Sequence, residues 1–205
     1  MFITIEGPEG SGKSSVTKKV VERLEKEGFE VVLTREPGGT PIAEEIRNVI
    51  LDKKNTAMDP VTEALLYAAS RRQHLVEKVW PLSKAGKIVI SDRFLDSSLA
   101  YQGGARNLGI DKVLAMNMFA TEGYYPDVTL LFDIDPRIGL ARIAANKNRE
   151  VNRLDLEKIE FHDNVRKTFL SLAERFKDRF VILDASKPFD DVVEDAYKAI
   201  KARIK

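Results

Sequence analysis

Residues 2–15 read FITIEGPEGSGKSS, an apolar strand running straight into Gly7-Pro8-Glu9-Gly10-Ser11-Gly12-Lys13-Ser14, which meets the pattern GxxxxGK[ST] at every fixed position. This stretch commits the chain to a strand, a tight glycine-rich loop and a helix. Each residue type has a chemical reason: glycines let backbone N–H groups turn toward phosphates, Lys13 reaches the β/γ oxygens, and the Ser14 hydroxyl can ligate Mg²⁺. Ser15 continues into a helix reading from 14 to 27, whose positive N-terminal end adds its own field. The competing reading, a glycine turn beside a chance lysine, does not explain why a strand precedes it and a helix follows.

A chain of 205 residues is long enough for one α/β domain with a buried core, and we expect a single domain spanning 1–205. Apolar residues make up 43% and charged residues 32%, an ordinary balance, and no apolar run approaches the ~20 residues that a membrane-spanning helix needs. Residues 2–6 are too short for a signal-peptide core and no cationic segment precedes them, so the expected compartment is the cytoplasm. The absence of cysteine excludes disulfides, thiolate metal sites and cysteine nucleophiles. With 33 basic against 32 acidic residues, no global field attracts nucleic acid, and a small-molecule substrate is expected.

Five short β-branched runs, FITIE (2–6), EVVLT (30–34), KIVIS (87–91), VTLLFDI (128–134) and RFVILD (179–184), alternate with helical stretches. They show little apolar/polar alternation, as strands do when helices cover both faces of a sheet, and the gaps suit right-handed crossovers. The fold expected is therefore α/β: a doubly wound, five-stranded parallel sheet with helices on both faces. Helices are expected at 14–27, 41–52, about 59–80 with Asp59 as cap and Pro81 as terminator, 111–122, 136–145, 155–177 and 188–203. The stretch Asn146 to Arg153 lacks apolar periodicity and reads as a mobile basic loop, a lid at about 145–154.

KIVIS ends in Ser91-Asp92-Arg93-Phe94, which places a carboxylate and a guanidinium at the edge of the sheet where open α/β folds bind ligands. Asp92 is the candidate for holding Mg²⁺ through water. Asp133 and Asp135 are rivals, but Arg93 next to Asp92 supplies a planar phosphate donor. The alternative for Asp92 is a helix cap. A guanine-specific NKxD motif is nearly matched at Asn146-Lys147-Asn148-Arg149, without its aspartate and without a DxxG. On the helix at 59–80, Tyr67, Ser70, Arg71 and His74 share one face; an aromatic four residues before an arginine can stack on a base while the guanidinium bonds its edge. Core packing is the plainer reading for such a ring, and a structural role the plainer one for His74.

Taken together, GPEGSGKS (7–14), TREPGGTPIAEEIR (34–47), LLYAASRRQH (65–74), SDRFLDSSLAYQGGAR (91–106), YPDVTLLFDID (125–135) and NRLD (152–155) resemble the bacterial thymidylate kinases over essentially the whole chain. REPGG followed by DR(Y/F)xxSSxAYQG is far more specific than a phosphate loop alone. The resemblance implies γ-phosphoryl transfer from ATP to thymidine 5′-monophosphate in dTTP synthesis, with Mg²⁺, by a cytoplasmic homodimer built on a five-stranded parallel sheet.

Position by position, the resemblance implies that Glu9 reaches the sugar 3′-hydroxyl or the nearby phosphate network and that Arg93 clamps the acceptor phosphate. Tyr67 would stack on thymine, with Arg71 and Gln102 or Ser98 on its edge. Tyr101 would sit where a 2′-hydroxyl projects, and Arg35 and Arg47 would support the monophosphate. Arg149 and Arg153 of the lid would close over the transferring group, and Arg142 would pair with the segment Asp184 to Pro188 near adenine. Three positions depart from the family pattern: Tyr67 stands where phenylalanine is common, Asn152 where an acidic residue is frequent, and Ser14 replaces threonine conservatively, since both supply the Mg²⁺-binding hydroxyl. The other readings are a kinase for another nucleotide or deoxynucleoside, against which the set Tyr67, Arg71, Tyr101 and Gln102 argues, and a nucleotide-binding switch protein, for which the chain has no switch motif.

Overall fold

The computed structural model describes residues 1–145, 154 and 157–204. Strand β1 (Phe2–Glu6) feeds the glycine-rich loop and helix α1 (Lys13–Lys26). There follow β2 (Val31–Arg35), α2 (Pro41–Leu51), α3 (Pro60–His74), a π-helical stretch (Leu75–Val79), α4 (Trp80–Lys84) and β3 (Ile88–Asp92). The second half runs through α5 (Leu95–Ser98), a second π-helical stretch (Leu99–Ala105), α6 (Ile110–Thr121), β4 (Val128–Asp133), α7 (Pro136–Ala145), α8 (Ile159–Arg175), β5 (Phe180–Asp184) and α9 (Phe189–Lys201). The strands pair in parallel in the order β2-β3-β1-β4-β5, the doubly wound arrangement expected from the apolar runs.

Because side chains alternate along a strand, strands with apolar residues on both faces supply two cores at once. Phe2, Val89, Leu131 and Phe180 pack on one side against Phe161, Val165 and Phe169 of α8 and Leu99 of the second π-helical stretch. Ile3, Ile90, Leu130 and Leu183 pack on the other against Val16, Val20 and Leu24 of α1 and Val192, Ala196 and Ile200 of α9. Truncating a ring such as that of Phe169, 1% exposed, would cost ~3–5 kcal/mol.

Asp59 caps α3 as expected, its Oδ2 accepting from the N–H groups of Val61 and Thr62, both at 2.9 Å. Pro81 does not end the helical run. The wider turns of Leu75–Val79 come first, with the Trp80 N–H bonded to Leu75 O five residues back, and the chain stays helical to Lys84. This relaxes the clash that a proline ring makes with the carbonyl four residues before it. The helix expected at 155–177 is described from Ile159 to Arg175.

Candidate active site

In the β1–β3 register Ile5 lies opposite Asp92, and the Arg93 N–H donates to Ile5 O at 2.9 Å, so the exit of β1 and the end of β3 sit side by side at the C-terminal edge of the sheet. Arg93 itself takes φ 72°, a left-handed conformation costing ~1 kcal/mol for a residue with a Cβ. The surroundings hold it there: Ser91 Oγ donates to Arg93 O at 2.8 Å and the Phe94 N–H donates to Glu6 Oε1 at 2.8 Å.

The glycine-rich loop curls over this edge and packs backbone to backbone on α7. A Cβ on Gly10 would lie 2.0 Å from Gly139 O, and one on Gly139 would lie 2.2 Å from Glu9 O, so both positions require glycine. Lys13 is buried and folded back on the loop, its Nζ donating to Gly7 O (3.0 Å), Pro8 O (2.7 Å) and Ser11 Oγ (3.1 Å), while Ser11 Oγ also donates to Pro8 O at 2.9 Å. Burial, followed by the neighbouring Arg93 charge, pulls the Lys13 ammonium down to about 8. The loop thus stores a cation at a cost that an arriving polyanion would repay.

Arg93 Nη2 donates to Glu9 Oε1 at 2.7 Å and Nη1 to Ser97 Oγ at 3.0 Å. The same Glu9 oxygen accepts the Tyr101 hydroxyl at 3.1 Å, and the Arg93 guanidinium lies 5.1 Å from the centre of the Tyr101 ring. Burial pushes the Tyr101 phenol well up and keeps it a donor. Burial works against the Arg93 charge, but Glu9 leads the neighbours that outweigh it and raise the guanidinium further. Beneath them Glu6 is fully buried; desolvation, then Asp96, pushes its carboxyl up to about 8.

A cavity of about 620 Å³ opens between the loop and α3. Gly10 to Ser15, Glu9, Asp92 and Arg93 line the end formed by the loop and β3; Tyr67, Arg71, Ser98, Tyr101 and Gln102 line the end toward α3 and the second π-helical stretch; Arg35, Arg47 and Arg142 reach its walls. Gly7 and Pro8 lie under the loop and act through the carbonyls that Lys13 bonds. Arg71 is immobilised: Nε donates to Glu36 Oε2 (2.8 Å), Nη1 to Ser98 Oγ (3.0 Å) and to Asn117 Oδ1, and Nη2 to Phe94 O (2.9 Å). Arg35 and Arg47 both donate to Pro37 O, at 3.1 and 2.8 Å, and Arg35 also meets Glu44. Arg142 Nη1 bonds Ala185 O at 3.0 Å, beside the end of β5.

Ser14 Oγ donates to Asp92 Oδ2 at 2.8 Å. A hydroxyl and a carboxylate are hard oxygen donors, the kind Mg²⁺ takes, and among the described residues no group of three His, Cys, Asp or Glu converges as a protein cage. The pair therefore suits an ion that keeps most of its shell as water and phosphate oxygens. Asp133 is engaged elsewhere, held by Arg166 at 2.7 Å, and Asp135 receives the Arg137 N–H. Arg149 and Arg153 of the expected lid lie outside the described residues.

Several residues that hold the site were not singled out from sequence. Glu36, inside REPGG, bridges Arg71 and the buried His74, whose other ring nitrogen meets Thr34 Oγ1 at 2.8 Å; His74 is thus a packing and hydrogen-bonding residue. Glu63, 1% exposed, lies on the face of α3 that Tyr67, Ser70 and Arg71 share, and Asn117, 0% exposed, lies on the largely apolar α6; neither stands out in the sequence until its partners are placed. Ser97, the first serine of DSS, bonds both Arg93 and Glu6.

The thymidylate kinase family model matches residues 5–196. The chain is 57% identical over 203 residues to the thymidylate kinase of Geobacillus sp. (strain WCH70), covering 99% of this chain and 97% of that one. It is 55% identical over 200 residues to that of Clostridium novyi (strain NT), covering 98% of each. A crystal structure of thymidylate kinase from Ehrlichia chaffeensis superposes with a TM-score of 0.79 at 32% identity over 98% of each chain. Matched along nearly its whole length in sequence and in backbone, this chain belongs to the thymidylate kinase family.

Proposed function

We infer that the chain transfers the γ-phosphoryl group of ATP to thymidine 5′-monophosphate, giving thymidine 5′-diphosphate and ADP. The observation that carries this is the family match over residues 5–196, joined to a cavity in which the Lys13 loop and the Arg93 cluster face Tyr67 and Arg71. The whole chain acts as one kinase domain.

Phosphoryl transfer asks a protein for alignment and charge stabilisation rather than covalent chemistry. Lys13, leaving its loop carbonyls, takes the β/γ oxygens of ATP. Arg93, preset by Glu9 and Ser97, takes the acceptor phosphate with Arg35 and Arg47 behind it. The acceptor phosphate is already ionised near neutral pH, so no general base is needed; the barrier lies in bringing two anions together, which these cations offset. Ser14 and Asp92 would hold Mg²⁺, which supplies charge neutralisation at the triphosphate when bound. Tyr67 stacks on the thymine ring, Arg71 and Gln102 address its edge, and Ser98 acts by holding Arg71. Arg142 and the end of β5 border the adenine, and Arg149 and Arg153, which lie outside the described residues, would add their charge at the reacting group. Mixing protein, Mg-ATP and thymidine 5′-monophosphate should yield thymidine diphosphate and ADP in equal amounts by anion-exchange chromatography. ADP without thymidine diphosphate would mean hydrolysis and overturn the reading.

The active form is a cytoplasmic homodimer. Ile42 and Val49 on α2, Val61 and Leu65 on α3, Val76 after it and Phe119 on α6, the last 89% exposed, put apolar surface on neighbouring helices that a second copy would cover. Light scattering at micromolar concentration should give twice the chain mass of 23.1 kDa; a particle of the single chain mass would refute the dimer.

A further inference from the structure

The edge of a pyrimidine can be read only by groups whose donors and acceptors point a fixed way, and Gln102 is an amide that could present either. Its Nε2 donates to Glu63 Oε1 at 2.8 Å, and this is the hydrogen bond of the Gln102 side chain among the described residues. Glu63 is 1% exposed and lies behind the cavity wall, whereas Gln102 lines the cavity. Glu63 is itself pinned: Arg106 Nε stands 3.5 Å from the same Oε1, and Arg106 Nη2 pairs with Glu157 at 2.7 Å. An amide turned the other way would set its carbonyl against this carboxylate oxygen, two acceptors in contact inside a dry wall, which is strongly unfavourable.

We propose that Glu63 sets the base specificity of the pocket by holding the Gln102 amide with its N–H toward Glu63 and its oxygen toward the cavity. Glu63 touches no substrate; it is a positioning residue, and the proposal rests on the reading that this end of the cavity seats the base. Arg71 supplies the complementary half. Among the described residues, Glu36, Ser98, Asn117 and Phe94 O take four of the five guanidinium N–H groups, leaving a hydrogen on Nη2. A donor from Arg71 beside an acceptor from Gln102 matches a 4-keto pyrimidine with a protonated N3, the edge of thymine and uracil. Cytosine presents an amino group and a bare N3 and meets the wrong partner at both positions. The wall would therefore reject cytosine nucleotides by leaving buried polar groups facing their own kind, a stronger filter than shape alone.

The test is a binding and rate comparison of thymidine and deoxycytidine 5′-monophosphates in the full-length protein. In Glu63→Met, of similar length but without the carboxylate acceptor, Gln102 can turn; the thymidine preference should fall by about tenfold, while the Arg71 donor keeps it above unity. In Glu63→Gln the amide oxygen can still accept from Gln102, and the preference should stay within about twofold of wild type. A folded Glu63→Met with an unchanged ratio would overturn the role of Glu63 and leave the proposed function standing, whereas a wild type without thymidine preference would overturn the reading of the pocket itself. The wild-type protein gives an independent measurement should Glu63→Met fail to fold. With thymidine monophosphate bound, the one Gln102 side-chain N–H proton that donates to Glu63 should exchange slowly in NMR, and fast exchange of both amide protons would overturn the proposal.

Discussion

Glu9 Oε1 receives both Arg93 Nη2, at 2.7 Å, and the Tyr101 hydroxyl, at 3.1 Å, so one carboxylate oxygen from the phosphate loop fixes a cation from the end of β3 and a ring from the π-helical stretch. Arg93 would otherwise be a long flexible side chain; tied to Glu9, Ser97 and Gly7 O it waits in one orientation. Removing the cation itself, in Arg93→Ala or Lys13→Ala, should lower kcat/KM by about two orders of magnitude or more, on the order of 3 kcal/mol or more for each contact at the reacting charge. Glu9→Gln, which keeps an acceptor but loses the charge that presets Arg93, should cost about a hundredfold. Steady-state kinetics beside unchanged circular dichroism checks this, and near-wild-type turnover in the Arg93 variant would remove it from the reaction.

Lys13 carries a pH signature. Its ammonium is held at about 8 in the free protein against an ordinary 10.5, and a bound triphosphate favours the protonated form. Above pH 8 nucleotide binding should therefore take up a proton and weaken as pH rises, whereas at pH 7 the uptake should be small. Stability of the free fold runs the other way. Between about 8 and 10.5 the unfolded chain holds the Lys13 proton that the folded one has released, so this group adds stability as pH increases through that window. Calorimetry of ATP binding at pH 7 and 9, in buffers of different ionisation heat, measures the uptake; equal uptake at both values would show that Lys13 does not titrate in this range.

Tyr101 is 3% exposed, packed edge-on to Phe161 and Phe169, and still borders the cavity. A ring so fixed would block a 2′-hydroxyl, giving a deoxyribose preference of roughly 1–3 kcal/mol if this contact decides it. Tyr101→Phe keeps the ring and should keep most of the preference; Tyr101→Ala should relax it. The comparison is kcat/KM for thymidine and ribothymidine monophosphates, and an unchanged ratio in Tyr101→Ala would make the ring core packing alone.

What the chain order carries locally was readable from the chain. The five β-branched runs fall within a residue of the strands: β1, β3 and β4, buried on both faces, read as largely apolar runs, the outer β2 and β5 keep their β-branched residues although Leu33 and Ile182 are exposed, and the phosphate loop is a contiguous motif. The π-helical stretches were not readable: wide turns at Leu75–Val79 and Leu99–Ala105 carry no composition of their own, and Pro81 reads as a stop. Equally hidden were contacts between distant positions, such as Glu36 with Arg71 and His74, or Glu63 with Gln102, since a buried carboxylate looks like a surface one until its partners are placed.

The most direct test of the account is a coupled ADP-release assay with Mg-ATP over a panel of nucleoside monophosphates. The account predicts the highest kcat/KM for thymidine 5′-monophosphate, lower values for its ribose and cytosine counterparts, and loss of the signal in Lys13→Ala. Equal release across the panel, or release that persists in Lys13→Ala, would contradict it.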